Sequence, residues 1–255
     1  MNVLHWGKKV WRKVRRRAKT RPGEMFPGFV VTASDTVVDV GCGAGHSCQI
    51  AAQVGAEVIA TDIDPKAIAQ VKQALRDASP RSFRALVSDS NPLPLPDGIA
   101  TVVLAREVME HVDDPEGFLR ELVRIGKPGA RYLISVPDPA SEALMRVVAP
   151  PDYFQKPGHL RVFERRQLVS LVESAGLEID TRIFPGFYWS IWWVLRWTTG
   201  THYAPLSPEP PPAVLKHWDR TWQALQKTAA GQKAIQALDE AVPKSQVLYA
   251  RKKEG

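Results

Sequence analysis

The chain has 255 residues, of which 44% are hydrophobic and 24% are charged, so it can bury a substantial core and is not a disordered or low-complexity protein. It has no run of about 18 apolar residues, and its basic start lacks the apolar stretch of a secretory signal peptide. The two cysteines, Cys42 and Cys48, indicate neither a disulfide framework nor a zinc site. These features predict a cytoplasmic protein.

The formal net charge of +7 is unevenly distributed. Residues 1–21 hold nine of the 34 basic residues and no acidic one, which leaves 25 basic against 27 acidic residues in the rest of the chain. Apolar residues recur at helical spacing at positions 3, 6, 10 and 14. We therefore predict that residues 1–24 form a basic amphipathic arm. A helix of this kind suits peripheral contact with a membrane, a lid over a ligand, nucleic-acid phosphates or plain solvent exposure.

Strand and helix patterns alternate after this arm. Residues 36–40 predict a buried strand, residues 41–45 a tight glycine loop, and residues 46–53 a helix. Further along the chain we predict strands at 57–61, 83–88, 100–105, 131–136, 177–184 and 246–250, and helices at 65–78, 115–125 and 164–175. Strands alternating with helices imply a parallel sheet covered on both faces.

The regular pattern stops near residue 185. Tryptophans stand at positions 189, 192, 193 and 197, a proline-rich stretch follows at 205–212, and Leu215, Trp218, Trp222 and Leu225 repeat with helical spacing. We interpret 185–243 as a tryptophan-rich helical insertion, because a core of its own would be small. The predicted organisation is thus an arm at 1–24, a core domain at 25–184, this insertion, and a last strand and tail at 244–255.

The glycine loop predicts a ligand site, because glycines let the backbone approach a ligand closely and helix N–H groups point toward it. A dinucleotide fingerprint would place a third glycine where His46 stands, which argues against a pyrophosphate. Asp39, two residues before the loop, suits a cationic ligand. Asp62, at the end of the second predicted strand of the core, can accept hydrogen bonds from ribose hydroxyls.

Residues 38–45 resemble the cofactor motif of class I S-adenosylmethionine-dependent methyltransferases, and residues 60–64 resemble their second motif. Residues 88–97, and 107–112 together with 127–129, resemble the later segments of this family. The resemblance covers about residues 35–184 and is greatest to the subgroup with ubiquinone and menaquinone biosynthesis enzymes. It implies a doubly wound, Rossmann-like α/β fold: a seven-stranded, mostly parallel sheet with an antiparallel last strand.

The same resemblance implies S-adenosylmethionine as cofactor and assigns positions around it. Asp39, Gly41 and Gly43 would line its methionine part, and Asp62 would bind the ribose. The remaining cofactor positions would be Ile63 and Ser90 beside the adenine, Asp89 at the adenine amino group, and the backbone around Ala105 at the methionine amino group.

Three residues are candidates for catalysis: Glu107 and His111, after the fourth predicted strand, and His159 on a later loop. A base is needed only if the acceptor must lose a proton. Alternatively, these residues fix the helix and loops by hydrogen bonds. Some methyltransferases of the family that the sequence resembles hold a divalent metal with acids and histidines at similar places. A metal could be bound here by Glu107, Glu110, His111 and His159. We nevertheless predict no metal.

We therefore predict methyl transfer from S-adenosylmethionine to a small or lipid-like hydrophobic acceptor, bound by residues 185–225 beside the cofactor. One alternative is an RNA or tRNA methyltransferase that uses the basic arm, although the aromatic density and near-neutral body count against it. Another is a non-catalytic, cofactor-binding scaffold. The protein would be cytoplasmic, with peripheral membrane contact through residues 1–21, and the sequence leaves its oligomeric state open.

Overall fold

The computed structural model describes residues 21–199 and 212–254. Nearly all of the predicted basic arm, and residues 205–211 of the proline-rich stretch, therefore lie outside the described residues. None of the described helices is long and apolar enough to cross a membrane.

Nine strands occur in the described part of the chain. A short antiparallel hairpin comes first, formed by β1 (Glu24–Phe26) and β2 (Phe29–Val30). The other strands are β3 (Thr36–Val40), β4 (Glu57–Asp62), β5 (Ser82–Val87), β6 (Ala100–Arg106), β7 (Gly126–Pro137), β8 (Leu177–Ile183) and β9 (Ser245–Lys252).

Eight α-helices and one 3₁₀ turn (Pro151–Phe154) connect the strands of this described part. The helices are α1 (His46–Gln53), α2 (Pro65–Arg76), α3 (Pro115–Ile125), α4 (Pro139–Val148), α5 (Arg165–Ser174), α6 (Phe187–Thr198), α7 (Ala213–Leu225) and α8 (Ala229–Ala241). Asp64, Asp114 and Asp138 cap α2, α3 and α4, each followed directly by the proline that begins the helix.

The central sheet has seven strands in the order β5-β4-β3-β6-β7-β9-β8. Strand β3 pairs in parallel with both β4 and β6, and β9 runs antiparallel to β8. The chain therefore leaves β3 toward one edge and returns to its other side, which opens a crevice at the carboxyl ends of these strands. This arrangement confirms the predicted fold class, including the antiparallel last strand.

Burial explains why the strands of the central sheet consist mostly of consecutive apolar residues. Every residue of β3 is buried, and β6 is buried from Val102 to Ala105. Helix α1 covers this part of the sheet with Cys48, Ala51 and Ala52, which are at most 1% exposed. Both faces of these strands are therefore inside the protein, as in other parallel sheets.

Strand β7 differs from its prediction, because it begins at Gly126 and not at Arg131. Its register against β6 shifts from Gly126 opposite Ala100 to Arg131 opposite Val102. Pro128 and Gly129, directly before the predicted strand, thus lie in a bulge within a longer strand.

The polypeptide divides into two compact units. The sheet unit, in its described part, consists of residues 21–136, 165–183 and 247–254. The helical unit consists of residues 137–164, 184–199 and 212–246 in the same part of the chain, and it contains α4, α6, α7 and α8. Its own buried cluster is formed by Tyr188, Trp192, Leu215 and Trp222.

Candidate functional site

The glycine loop joins β3 to α1 at the carboxyl edge of the sheet. Gly45 has φ +71°, and a Cβ atom there would lie 2.7 Å from Val71 of α2, so the position excludes larger residues. Gly43 also has a positive φ, of +46°, but a Cβ atom there would meet nothing within 4 Å. Gly43 therefore presents bare backbone to open space, where a ligand can approach it.

Asp62 ends β4 beside this loop and is held by two backbone donors. Its Oδ2 accepts from the N–H of Gly43 at 2.7 Å, and its Oδ1 accepts from the N–H of Asp64 at 2.9 Å. Each carboxylate oxygen has two lone pairs, so both can accept a further hydrogen bond. The side chain is thus fixed in direction before any ligand binds.

Asp39 lies in the middle of the sheet and is 3% exposed. The thiol of Cys48 donates to its Oδ2 at 3.2 Å. Burial raises the pKa of Asp39 to about 6, although the Cys48 hydrogen bond and the positive charge of Arg106 oppose the shift. The site therefore holds a poorly compensated carboxylate, which a cationic ligand would stabilise.

Arg106 was not among the predicted site residues, although it is the charged end of an otherwise apolar strand. Its Nη1 donates to Ser47 Oγ at 2.8 Å, and its guanidinium carbon lies 4.7 Å from the ring centre of Phe26. Burial lowers the pKa of Arg106, while the carboxylates of Asp39 and Glu107 oppose the shift. A guanidinium keeps its charge in proteins, so the site contains one fixed cation.

The predicted adenine positions meet at the ends of β4 and β5. The N–H of Ser88 donates to the Asp62 carbonyl at 2.9 Å, which ties the two strand ends together. Ile63 is 70% exposed, an unusual exposure for so large an apolar side chain. Asp89 is exposed, and Ser90 is buried with φ +66°. An exposed isoleucine beside an exposed carboxylate fits an adenine ring and its amino group.

The ends of β6 and β7 hold one of the predicted catalytic residues, Glu107. It has φ +55°, a strained value for a residue other than glycine. Its Oε1 accepts from Ser135 Oγ at 2.8 Å, and its N–H donates to the Ser135 carbonyl at the same distance. Three residues further along the chain, Glu110 is fully buried, and the Nε2 atom of the exposed His111, also a predicted catalytic residue, lies 3.8 Å from Glu110 Oε1.

The third predicted catalytic residue, His159, belongs to the helical unit. Its Nδ1 lies 3.0 Å from Oε2 of Glu142, a residue of α4, and Tyr153 Oη donates to Oε1 of the same carboxylate at 3.0 Å. Burial raises the pKa of Glu142, but hydrogen bonds from His159 and Tyr153 and the charge of Lys244 outweigh it and lower the pKa. The sequence offered no periodic or spacing pattern that marks Glu142.

Aromatic side chains of α6 continue from this group. The rings of Trp197 and Tyr153 meet edge-on with their centres 4.9 Å apart, and the ring centre of His159 lies 4.3 Å from that of Tyr153. Trp193 lies 5.4 Å from Trp197. His159 and the aromatic helix therefore belong to one contiguous cluster within the helical unit.

A separate cavity of about 270 Å³ lies between α3 and α5 in the sheet unit. Its lining includes Leu119, Arg120, Ser170 and Leu171, and none of the predicted site residues. We assign the ligand site to the carboxyl edge of the sheet, because the glycine loop and the oriented carboxylates lie there.

A doubly wound sheet with this strand order, an acid before the glycine loop and a second acid at the end of the neighbouring strand define the class I S-adenosylmethionine-dependent methyltransferases. The chain belongs to the methyltransferase domain family, whose sequence model matches residues 5–182. The family and cofactor that the sequence predicted are thereby confirmed.

Individual relatives agree with this membership. The chain is 32% identical to a probable S-adenosylmethionine-dependent methyltransferase of Mycolicibacterium smegmatis over 152 residues, which cover 58% of this chain and 54% of that protein. It is 27% identical to the ubiquinone biosynthesis O-methyltransferase of Aeromonas salmonicida over 179 residues, 67% of this chain and 68% of that one. The chain thus spans about half the length of the mycobacterial relative.

A solved structure shows the same fold. The crystal structure of a protein described as a methyltransferase from Bacillus halodurans superposes with a TM-score of 0.57 at 18% identity. The superposition covers 97% of this chain and all of that one.

The residues present fit S-adenosylmethionine. Gly43 leaves room for close approach, Asp62 is oriented by two backbone donors, and Ile63 exposes an apolar surface for the adenine. Asp39 and Arg106 add one group of each sign where a zwitterionic amino acid would lie. We retain the individual contacts with the cofactor as predictions.

Proposed function

We propose that this protein transfers a methyl group from S-adenosylmethionine to a hydroxyl of a small or lipid-like hydrophobic acceptor, and that the aromatic cluster of the helical unit binds this acceptor. The observation that carries the proposal is the contact of one ring, Tyr153, with both His159 and Trp197. A candidate base and an aromatic surface are thus built into the same cluster. The ubiquinone biosynthesis relative supports an apolar acceptor.

His159 is the proposed proton acceptor. The carboxylate of Glu142 beside its Nδ1 stabilises the imidazolium that forms when the ring takes the acceptor's hydroxyl proton. S-adenosylmethionine supplies the methyl group on a sulfonium sulfur, and its transfer to the acceptor oxygen leaves S-adenosylhomocysteine. Glu107 and His111 remain proposed catalytic residues at the sheet edge, where they would orient the acceptor.

The aromatic helix supplies the apolar contacts. Trp189, Trp193 and Trp197 of α6 are each only partly buried, while Trp192 on the same helix is 3% exposed. The partly buried rings keep surface available for an apolar molecule. Trp192 instead belongs to the core of the unit, which separates the proposed acceptor-binding rings from the supporting one.

Kinetics with both substrates varied test this function. The acceptors would be phenols and quinols with and without an isoprenyl chain, and methylation would be followed by transfer of labelled methyl. We expect the isoprenylated compounds to be methylated with the lowest KM. Methylation of RNA in place of all these compounds would overturn the proposal and favour the nucleic-acid alternative.

Single substitutions test which residues bind the acceptor and which one takes its proton. Trp193→Ala should cost about 1–3 kcal/mol of acceptor binding and so raise KM for the acceptor, with KM for S-adenosylmethionine unchanged. His159→Ala should lower kcat for a hydroxyl acceptor about 100-fold or more, since general-base catalysis contributes at least that much. Val147→Ala, at an 82% exposed position of α4, is the matched control and should change neither constant. Equal increases in both KM values for Trp193→Ala would contradict the assignment.

The expected membrane contact of residues 1–21 stays a prediction. Deleting these residues removes nine cations, each worth about 1 kcal/mol near an anionic surface. We expect the deletion to abolish co-sedimentation with anionic liposomes and to preserve activity on a water-soluble acceptor. Full-length protein that ignores such liposomes would rule out this contact.

A further inference from the structure

Arg106 makes unusually few hydrogen bonds for a partly buried arginine. Its guanidinium has five N–H donors, and in the part of the chain that the structure describes only Nη1 has an acceptor, Ser47 Oγ at 2.8 Å. The Nε atom is buried and has no partner among the described residues. Buried donors are nearly always paired, so an unpaired one in a ligand crevice calls for an explanation.

The nearby carboxylate of Asp39 does not supply the missing acceptor. In the β3–β6 register Asp39 lies opposite Leu104, so Arg106 is its diagonal neighbour, two residues further along the same face. The two side chains attract each other electrostatically, but the Asp39 carboxylate accepts its hydrogen bond from Cys48. The arginine is therefore near a counter-charge, and its Nε atom still has no acceptor among the described residues.

The position of Arg106 relates it to the methionine end of the cofactor. Val40 pairs with Ala105 across the two strands, which places Arg106 level with Gly41 at the start of the glycine loop. The backbone at Ala105 is the predicted contact of the methionine amino group. A carboxylate is attached to the same carbon as that amino group, and a guanidinium matches a carboxylate in shape and charge.

We propose that Arg106 binds the α-carboxylate of the methionine part of S-adenosylmethionine through its unpaired donors. The Phe26 ring, 4.7 Å away, and the Ser47 hydroxyl hold the guanidinium in place for this contact. The assignment depends on the cofactor of the family and not on the identity of the acceptor. It stands even if the proposed acceptor is wrong.

Calorimetric titration of the full-length protein with two ligands tests the assignment. S-adenosylmethionine and its decarboxylated analogue differ only in the carboxylate, so the ratio of their dissociation constants reports that group alone. We expect the wild-type protein to prefer S-adenosylmethionine by about 10- to 100-fold, the range of one or two charge-assisted hydrogen bonds. In Arg106→Gln the ratio should fall to near one, because affinity is lost for S-adenosylmethionine and not for the analogue.

Arg84→Gln, at an exposed position of β5, is the control for loss of one arginine and should leave the ratio unchanged. If Arg106→Gln does not fold, Arg106→Lys keeps the charge and should reduce the preference several-fold, because lysine cannot pair with a carboxylate bidentately. The wild-type protein offers an independent readout, since the Nε–H resonance of Arg106 should shift with S-adenosylmethionine and not with the analogue. Equal losses for both ligands, or equal shifts, would overturn the proposal and leave Arg106 as the counter-ion of Asp39.

Discussion

The sheet unit and the helical unit differ in the make-up of their candidate functional sites. In the sheet unit the candidate site consists of backbone and short side chains at strand ends, such as Gly43 and the Asp62 carboxylate that it holds. In the helical unit it consists of large rings and a buried carboxylate from separate segments, such as Trp197, Tyr153 and Glu142. The first kind of site follows from local chain geometry, whereas the second depends on packing between helices.

The largest expected effect would show whether the helical unit depends on its own core. Trp192 is 3% exposed and contacts Trp189 and Trp193 at ring distances of 5.7 and 5.0 Å. Trp192→Ala should lower the free energy of unfolding by about 3–5 kcal/mol, the usual cost of removing a buried tryptophan. Urea denaturation measures this loss. A loss as small as that of the surface variant Val147→Ala would mean that α6 is not a core element.

The next effect concerns the sheet unit, where a single oriented carboxylate should control ligand affinity. Asp62→Ala should weaken S-adenosylmethionine binding by about 3 kcal/mol, because charged hydrogen bonds to the ribose contribute about 1.5–3 kcal/mol each. Calorimetric titration of the variant with S-adenosylmethionine measures this loss of affinity. Asp64→Ala is the matched control: it removes the α2 cap, whose Oδ1 accepts from Lys66 N at 2.8 Å, and should cost about 1 kcal/mol of stability with little loss of affinity. Equal affinity losses in the two variants would contradict a ribose contact of Asp62.

The third expected effect is a gain in stability and not a loss, because Asp39 lowers the stability of the ligand-free protein at neutral pH. Its folded pKa of about 6 exceeds the ordinary 3.8, so the folded state favours the protonated acid. That stabilisation is present below about pH 4 and is lost as the pH rises through about 6. Asp39→Asn should therefore make the ligand-free protein about 2–3 kcal/mol more stable than wild type at pH 7.5, with a smaller difference at pH 4.5.

Urea unfolding of both proteins at pH 4.5, 6 and 7.5 measures this difference, in which the titration of all other groups cancels. Titration with S-adenosylmethionine should show weaker binding to Asp39→Asn at pH 7.5. A stability difference that does not change with pH would mean that Asp39 is not the buried acid that the geometry indicates.

The smallest expected effect in the comparison concerns how Glu142 holds His159. Glu142→Gln keeps the shape of the side chain but removes the charge beside Nδ1, so an imidazolium loses one charged partner worth about 1–2 kcal/mol. The ring ¹⁵N resonances of His159 should report a changed tautomer or charge, and kcat for a hydroxyl acceptor should fall more than either KM rises. Tyr153→Phe, which removes only the hydroxyl that donates to Glu142, should have a weaker effect on both readouts.

The glycine loop and its acids could be predicted because their signals are local. The ends of β3 and α3 and the bounds of α1 fall where the sequence predicted them, since buried strands and capped helices are marked by neighbouring residues. The β1–β2 hairpin, α4 and α8 were not predicted. The hairpin strands have only three and two residues, too few to show a period, whereas Asp138 and Pro139 did mark the start of α4.

The sequence by itself determined the fold class and the cofactor family, and it gave the acids that we predict to face the cofactor, because each depends on residues close together in the chain. Only the tertiary structure decided that the Nε atom of Arg106 is buried without a partner among the described residues, since the side chains that Arg106 contacts, Ser47 and Phe26, are 59 and 80 positions away. It also decided that Trp192 is core while Trp193 keeps an exposed surface. The burial of a side chain depends on which other segments pack against it, and the helical spacing of apolar residues does not show which of them are covered.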